Sequence, residues 1–184
     1  MRIKIFTILI FLAGILMGLF VSETVSKPYQ VVAEDEIQPD LSRTDIIKLI
    51  AIAPTDGLNL RGVNLSGVDL HGFDLSNANL TGVDLRNANL TNTVLSGAIA
   101  AGTDFSGATL YAAVMDNTVL DWATFENADL RYALFADASL TNINLKGADL
   151  EGANFNGAYL SYVTLPNGQR YEEHGDLLQF TTPD

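Results

Sequence analysis

The chain has 184 residues, is 48% hydrophobic, contains no cysteine and carries a formal net charge of −12. The lack of thiols excludes a disulfide framework, a thiolate metal site and lipidation at cysteine. The acidic balance opposes direct nucleic-acid binding and adsorption to anionic headgroups, both of which need a basic surface.

Arg2 and Lys4 precede residues 5–21, a stretch of seventeen residues without a charge. Residues 1–21 therefore read as a signal peptide or membrane anchor and stand outside the fold argument. The cleavage motif is poor, because Val21-Ser22-Glu23 puts a charge at the scissile position. As a helix the stretch would span about 26 Å, near the lower limit for a bilayer. Either reading keeps the basic flank cytoplasmic and carries the rest across. The expectation is an extracytoplasmic protein, secreted or held in the membrane through residues 5–21 if they are not cleaved. Residues 22–39, with Pro28, Pro39 and Glu34-Asp35-Glu36, read as a charged linker.

Within residues 40–57, Ser42-Arg43-Thr44-Asp45 resembles a capping box, with Asp in place of Glu. Ile46, Ile47, Leu49, Ile50 and Ile52 follow, and Pro54 stops the run. The pattern predicts a helix over 43–52. Its apolar side needs a surface to cover, as does the first coil of any repeat array. It is read as an N-terminal cap.

From Leu60 to Leu165 every fifth residue is apolar, 22 positions without a slip. Sixteen are Leu, four are Phe (Phe105, Phe125, Phe135, Phe155), and Met115 and Ala100 complete the set. A period of five fits neither a helix nor a strand, so the backbone must turn a corner in each unit. Two residues before each of these centres the side chain is small or apolar, twelve times Ala. All eleven acids and four bases of the array avoid both positions. Two side chains in five therefore face inward and three face out. Two residues after the centre, 17 of the 22 positions are Gly or Asn, the residues that best tolerate positive φ in a tight turn.

Stretches such as Ala78-Asn79-Leu80-Thr81-Gly82 and Ala148-Asp149-Leu150-Glu151-Gly152 resemble the A-(D/N)-L-x-x consensus of pentapeptide-repeat proteins. The resemblance covers residues 58–165 and looks most like secreted or membrane-anchored cyanobacterial members. It implies an all-β solenoid, a right-handed quadrilateral β-helix with four pentapeptides per coil. Positions twenty apart then stack, putting Phe105 on Phe125, Phe135 on Phe155, and Leu90, Leu110 and Leu130 in one ladder. Five and a half coils at ~4.8 Å each make a tower about 26 Å tall. Thr93, Thr103 and Thr118 bring hydroxyls inward, where they need carbonyl partners. Ala100 leaves a void unless its neighbours fill it. Pro166-Asn167-Gly168 turns out of the array, and residues 166–184 read as a C-terminal cap or tail.

No catalytic arrangement is apparent, and no cofactor is expected. His71 and His174 have no ligand-spaced partner, the serines recur with the fold, and the glycines form no phosphate loop. The departures from polarity at outward positions are more telling. Val94, Val114 and Leu134 stack on one side, with Tyr111 and Tyr132 close by. On the adjacent side are Ile99 and Val119, with Trp122, Tyr159 and Tyr162 nearby. These ten residues form a candidate surface for an unknown protein partner or a homodimer. The reading is a non-enzymatic extracytoplasmic scaffold or interaction module, in the periplasm or, for a cyanobacterial chain, the thylakoid lumen. The family offers an alternative, an acidic DNA mimic acting on a DNA-binding enzyme such as gyrase. The net charge of −7 in the array permits it, but the apolar N-terminus counts against it because gyrase is cytoplasmic.

Overall fold

The computed structural model describes residues 41–52, 57–171 and Thr181. The expectations for the apolar segment 5–21, the linker 22–39, Pro54, His174 and most of the tail lie outside the described residues. Among the described residues no helix is long and apolar enough to cross a membrane. The described residues belong to one compact unit, and its first element is α1 (Arg43–Ile52). Ser42 caps it, its Oγ accepting from the Asp45 N–H at 3.3 Å while Asp45 Oδ2 accepts from the Ser42 N–H at 3.2 Å. Ile46 is fully buried, and Leu41 nearly so. Arg43 donates to the carbonyls of Asp69 (2.8 Å) and His71 (3.2 Å), and its guanidinium lies 4.3 Å from the centre of the Phe73 ring.

The array is a parallel solenoid with a period of twenty. Asn59 bridges Asn79, Asn79 bridges Ile99, and Ile99 bridges Val119, always in parallel. The same step of twenty joins β1 (Ser139–Thr141) to β2 (Tyr159–Ser161). Each coil has four sides. Side one carries the centres Leu60, Leu80, Ala100, Leu120, Leu140 and Leu160, and side two runs from Leu65 to Leu165. Side three runs from Leu70 to Leu150, and side four from Leu75 to Phe155. The last coil departs through β3 (Val163–Thr164), which pairs antiparallel with β4 (Arg170–Tyr171) across the turn at Pro166-Asn167-Gly168. Here Gly168, not Asn167, takes positive φ.

Residues 89–94 show why five residues suffice for a unit. The Leu90 and Asn92 N–H groups donate to the next coil, at Thr109 O (2.7 Å) and Tyr111 O (2.9 Å). The Val94 N–H donates to the previous coil, at Phe73 O (2.8 Å). The Thr93 N–H closes its own turn on Leu90 O (3.1 Å). One donor per unit remains, that of Thr91, and the Asn89 side chain accepts it at 3.2 Å. The Asn or Asp before each centre is therefore a backbone cap, which satisfies a donor that the ladders cannot reach.

The inward positions pack as expected. Every centre from Leu60 to Leu150 is buried, as are Leu90, Leu110 and Leu130 in their ladder. Each buried Leu, Phe or Met contributes roughly 1.5–3 kcal/mol relative to exposure. Phe105 and Phe125 stack at 4.7 Å, as do Phe135 and Phe155. Phe125 on side two and Phe135 on the opposite side four meet edge-on across the interior, with ring centres 6.3 Å apart. The Thr93, Thr103 and Thr118 hydroxyls donate to the carbonyls of Leu70, Leu80 and Leu95 at 2.9, 2.7 and 3.1 Å. At the open ends Phe73, Phe155 and Leu160 are only half-buried.

Candidate protein-interaction surface

All ten candidate surface residues fall on sides four and one or on the corners that border them. Val94 bridges Val114 and Val114 bridges Leu134 on side four, while Ile99 bridges Val119 on side one. Tyr111 and Tyr132 occupy the corner between sides three and four, with ring centres 5.4 Å apart in an edge contact. Trp122 and Tyr162 occupy the corner after side one, and Tyr159 lies on that side. Trp122 is 69% exposed, Tyr159 65% and Ile99 47%. Val94 and Val114 are half-buried between their neighbours. Apart from Ile47 on α1, every exposed large hydrophobic among the described residues belongs to this half of the circumference.

The backbone shows what that apolar surface displaces. From Gly62 to Tyr162 the second residue after every centre has positive φ. Gly or Asn fills that place everywhere on the corner between sides two and three. The five exceptions are Ala112 (φ 52°), Trp122 (65°), Tyr132 (60°), Asp137 (55°) and Tyr162 (54°), and all border side four or side one. A residue other than Gly, Asn or Asp held there, as at Ala112, Trp122, Tyr132 and Tyr162, costs about 1 kcal/mol or more. Caps are lost on the same half. With Val94, Ile99, Val114 and Val119 in place of Asn or Asp, the N–H groups of Ser96, Ala101, Asp116 and Asp121 find no acceptor among the described residues. On sides two and three Thr109, Thr124 and Thr164 replace a cap, and after Thr164 no donor is lost because Pro166 has no N–H. Two acids repair neighbouring losses. Asp116 accepts from the Ala136 N–H at 2.9 Å, and Asp121 accepts from the Thr141 N–H at 3.0 Å and the Ser139 hydroxyl at 2.7 Å.

Charge divides the circumference the same way. Asp84 receives Arg86 at 2.6 Å and Asp129 receives Arg131 at 2.8 Å. Those guanidiniums, chiefly through hydrogen bonds, hold both carboxyls below the usual carboxylate range. Arg86 also reaches Asp104 (3.8 Å) and Arg131 reaches Asp149 (3.7 Å), while Lys146 pairs with Glu126 (3.6 Å) and Arg43 with Asp69 (3.4 Å). Each of these six paired acids sits on side two, on side three or on the corner between them. The Tyr132 hydroxyl lies 3.4 Å from the Glu151 carboxylate, whose charge raises the tyrosine pKa. Its ring covers Gly152, where a Cβ would stand 2.6 Å from two ring carbons. Among the described residues no His, Asp and Glu cluster could hold a metal ion.

Sequence reasoning found the apolar side chains but missed the backbone cost beneath them. A signal was available, since the exceptions to Gly or Asn at the second place after the centre are Ala112, Trp122, Tyr132, Asp137 and Tyr162.

A parallel solenoid of five-residue units, twenty to a coil, with capped corners and a packed apolar interior, defines a β-helical repeat protein. The family model for pentapeptide repeats matches residues 59–97, 88–127 and 133–167, in eight copies and over more than half of the chain. The chain belongs to the pentapeptide-repeat family, whose fold is the right-handed quadrilateral β-helix. Among solved structures it is similar to the pentapeptide repeat protein Rfr23 from the cyanobacterium Cyanothece 51142, at 29% identity, covering 58% of this chain and 83% of that one, with a TM-score of 0.44. A pentapeptide repeat protein from the Arabidopsis thaliana thylakoid lumen is 24% identical, over 63% of this chain and 86% of that one, with a TM-score of 0.43. Full-length QnrB1, a plasmid-mediated fluoroquinolone resistance protein, is 14% identical, over 58% and 70%, with a TM-score of 0.37. No curated protein matches the chain.

Proposed function

We propose that this protein is a non-catalytic docking scaffold displayed outside the cytoplasm, and that sides four and one of its tower are the docking face. One observation carries the reading. Exposed apolar side chains, left-handed residues other than Gly or Asn, and most of the lost backbone caps fall on one half of the circumference. Each departure costs stability where a consensus Asn, Asp or Gly would not, and a feature kept against stability points to function. The aromatic content, with Trp122 and four tyrosines, matches the composition of protein-binding surfaces. In this reading α1 closes the first coil of the tower, so that edge is not the docking site. The extracytoplasmic placement rests on the basic start and the apolar run of residues 5–21. An acidic DNA mimic is less favoured, because the carboxylates of sides two and three are largely matched by Arg and Lys.

The test compares the full chain with a Val119→Lys/Leu134→Lys variant as bait on extracts of the source cells. Both positions are exposed strand sites, so the melting temperature should hold while a specific captured protein disappears. Equal capture by both baits refutes the docking face. A reporter fused after residue 40 tests the location, and cytoplasmic activity refutes it.

A further inference from the structure

Resting on that docking reading, we propose that the occupant of sides four and one is a polypeptide segment bearing Lys or Arg beside apolar side chains. The argument is one of charge complementarity. The six ion-paired acids of the array lie on sides two and three and the corner between them. The other five, Asp74, Asp116, Asp121, Asp137 and Glu151, form no salt bridge among the described residues, though Glu151 lies within the field of the Arg131 guanidinium and accepts from the Tyr132 hydroxyl. All five lie on side four or on the corners bordering sides four and one. Asp116 and Asp137 stand on the corner between the two apolar sides, with Val114 and Leu134 on one flank and Ile99 and Val119 on the other. The face is thus an apolar surface divided by a ridge of carboxylates that no Lys or Arg pairs among the described residues.

Burying such a ridge against a neutral apolar partner would strip the carboxylates of water without return, so a partner must supply cations at the ridge. A second copy fails the same condition. A two-fold axis would bring like ridges together, and like charges across an interface are penalised. Phosphates of nucleic acid or lipid are repelled for the same reason. A segment with apolar residues for the flanks and Lys or Arg for the ridge satisfies both halves at once.

The charge can be removed without removing the backbone caps. Asp116 and Asp121 use a side-chain oxygen to cap the Ala136 and Thr141 N–H groups, and Asn keeps that oxygen. At Asp137, with φ 55°, Asn is the better-suited residue. An Asp116→Asn/Asp121→Asn/Asp137→Asn variant therefore folds as the parent does and lacks only the charge.

The test is a selection from a random peptide library displayed on phage. The full-length chain in mild detergent is the target, with counter-selection on the Val119→Lys/Leu134→Lys variant. The expected result is enrichment of peptides that place Lys or Arg next to Trp, Leu or Phe. Their binding should weaken about tenfold on the triple Asn variant, as the loss of a few rim ion pairs predicts, and should lose most of its salt dependence there. Enriched peptides with no cationic bias, equally bound by the Asn variant, overturn this inference and leave the docking face standing. Peptides that also bind the double Lys variant, or no enrichment at all, overturn both. A dimer in sedimentation that the double Lys variant abolishes makes a second copy the occupant and overturns the inference.

Discussion

Leu110→Ala is the substitution whose cost the fold fixes most tightly. Leu110 is fully buried between Leu90 and Leu130 on side three. A core can soften the loss of a large side chain by collapsing around it, but here the coil spacing is set by the backbone. The Leu90 N–H holds Thr109 O at 2.7 Å, the Thr109 N–H holds Ala88 O at 3.0 Å, and the Leu110 N–H holds Asp129 O at 2.7 Å. The coils cannot close over the void without breaking these bonds. Leu→Ala changes in cores cost about 2–5 kcal/mol, and sites that relax least sit at the upper end. A loss of about 4 kcal/mol is therefore expected, a large share of the ~5–15 kcal/mol that stabilises an ordinary domain. Urea unfolding of the full chain measures it, with Thr109→Ala, the outward neighbour, expected to lose no more than about 0.5 kcal/mol. A loss below about 1 kcal/mol for Leu110→Ala, or equal losses for the two variants, would refute the rigid-ladder reasoning.

Leu85→Asp should abolish cooperative thermal unfolding, because it buries an unpaired carboxylate at a fully buried centre. Asp84→Ala should cost only about 1 kcal/mol, the worth of its bonds to the Arg86 backbone N–H and guanidinium. A folded Leu85→Asp variant would remove the inward assignment. Asp84 and Asp129 are depressed in the folded state by their arginines. A depressed carboxylate adds stability above its unfolded pKa of about 3.9 and loses it as the pH falls through the lower folded value. Stability should hold from neutrality to about pH 4.5 and decline below about pH 4. Arg86→Gln with Arg131→Gln should flatten that acid limb in melts at stepped pH, and an unchanged limb would show that these pairs do not produce it.

The interior was legible in the sequence because every inward position repeats in register, and a single substitution pattern (Leu or Phe at the centre, Ala two before) recurs with it. The Thr93, Thr103 and Thr118 hydroxyls could be assigned carbonyl partners in advance, since nothing else lies inside. The Asn and Asp residues before each centre were harder to read. Their outward direction follows from period alone, but their role as caps depends on which backbone donor the coil contacts leave over. That becomes clear only once the coils are stacked. The division of the surface was hidden for a different reason. Asp84-Leu85-Arg86 and Asp129-Leu130-Arg131 show the local ion pairs, but placing all six paired acids opposite the apolar half requires wrapping the chain twenty residues to the turn. The Phe125–Phe135 edge contact, between opposite sides, was invisible for the same reason.

A cysteine pair tests the twenty-residue coil directly, because the chain has no thiol of its own. Val94 and Val114 are bridge partners on adjacent coils, and stacked strands about 4.8 Å apart lie within disulfide reach. Val94→Cys with Val114→Cys should oxidise readily in air to an intramolecular bond, seen as a mobility shift on non-reducing gels. Val94→Cys with Val119→Cys, twenty-five residues apart and on different sides, should remain reduced. Bonding in the second pair but not the first would contradict the stacked-square architecture.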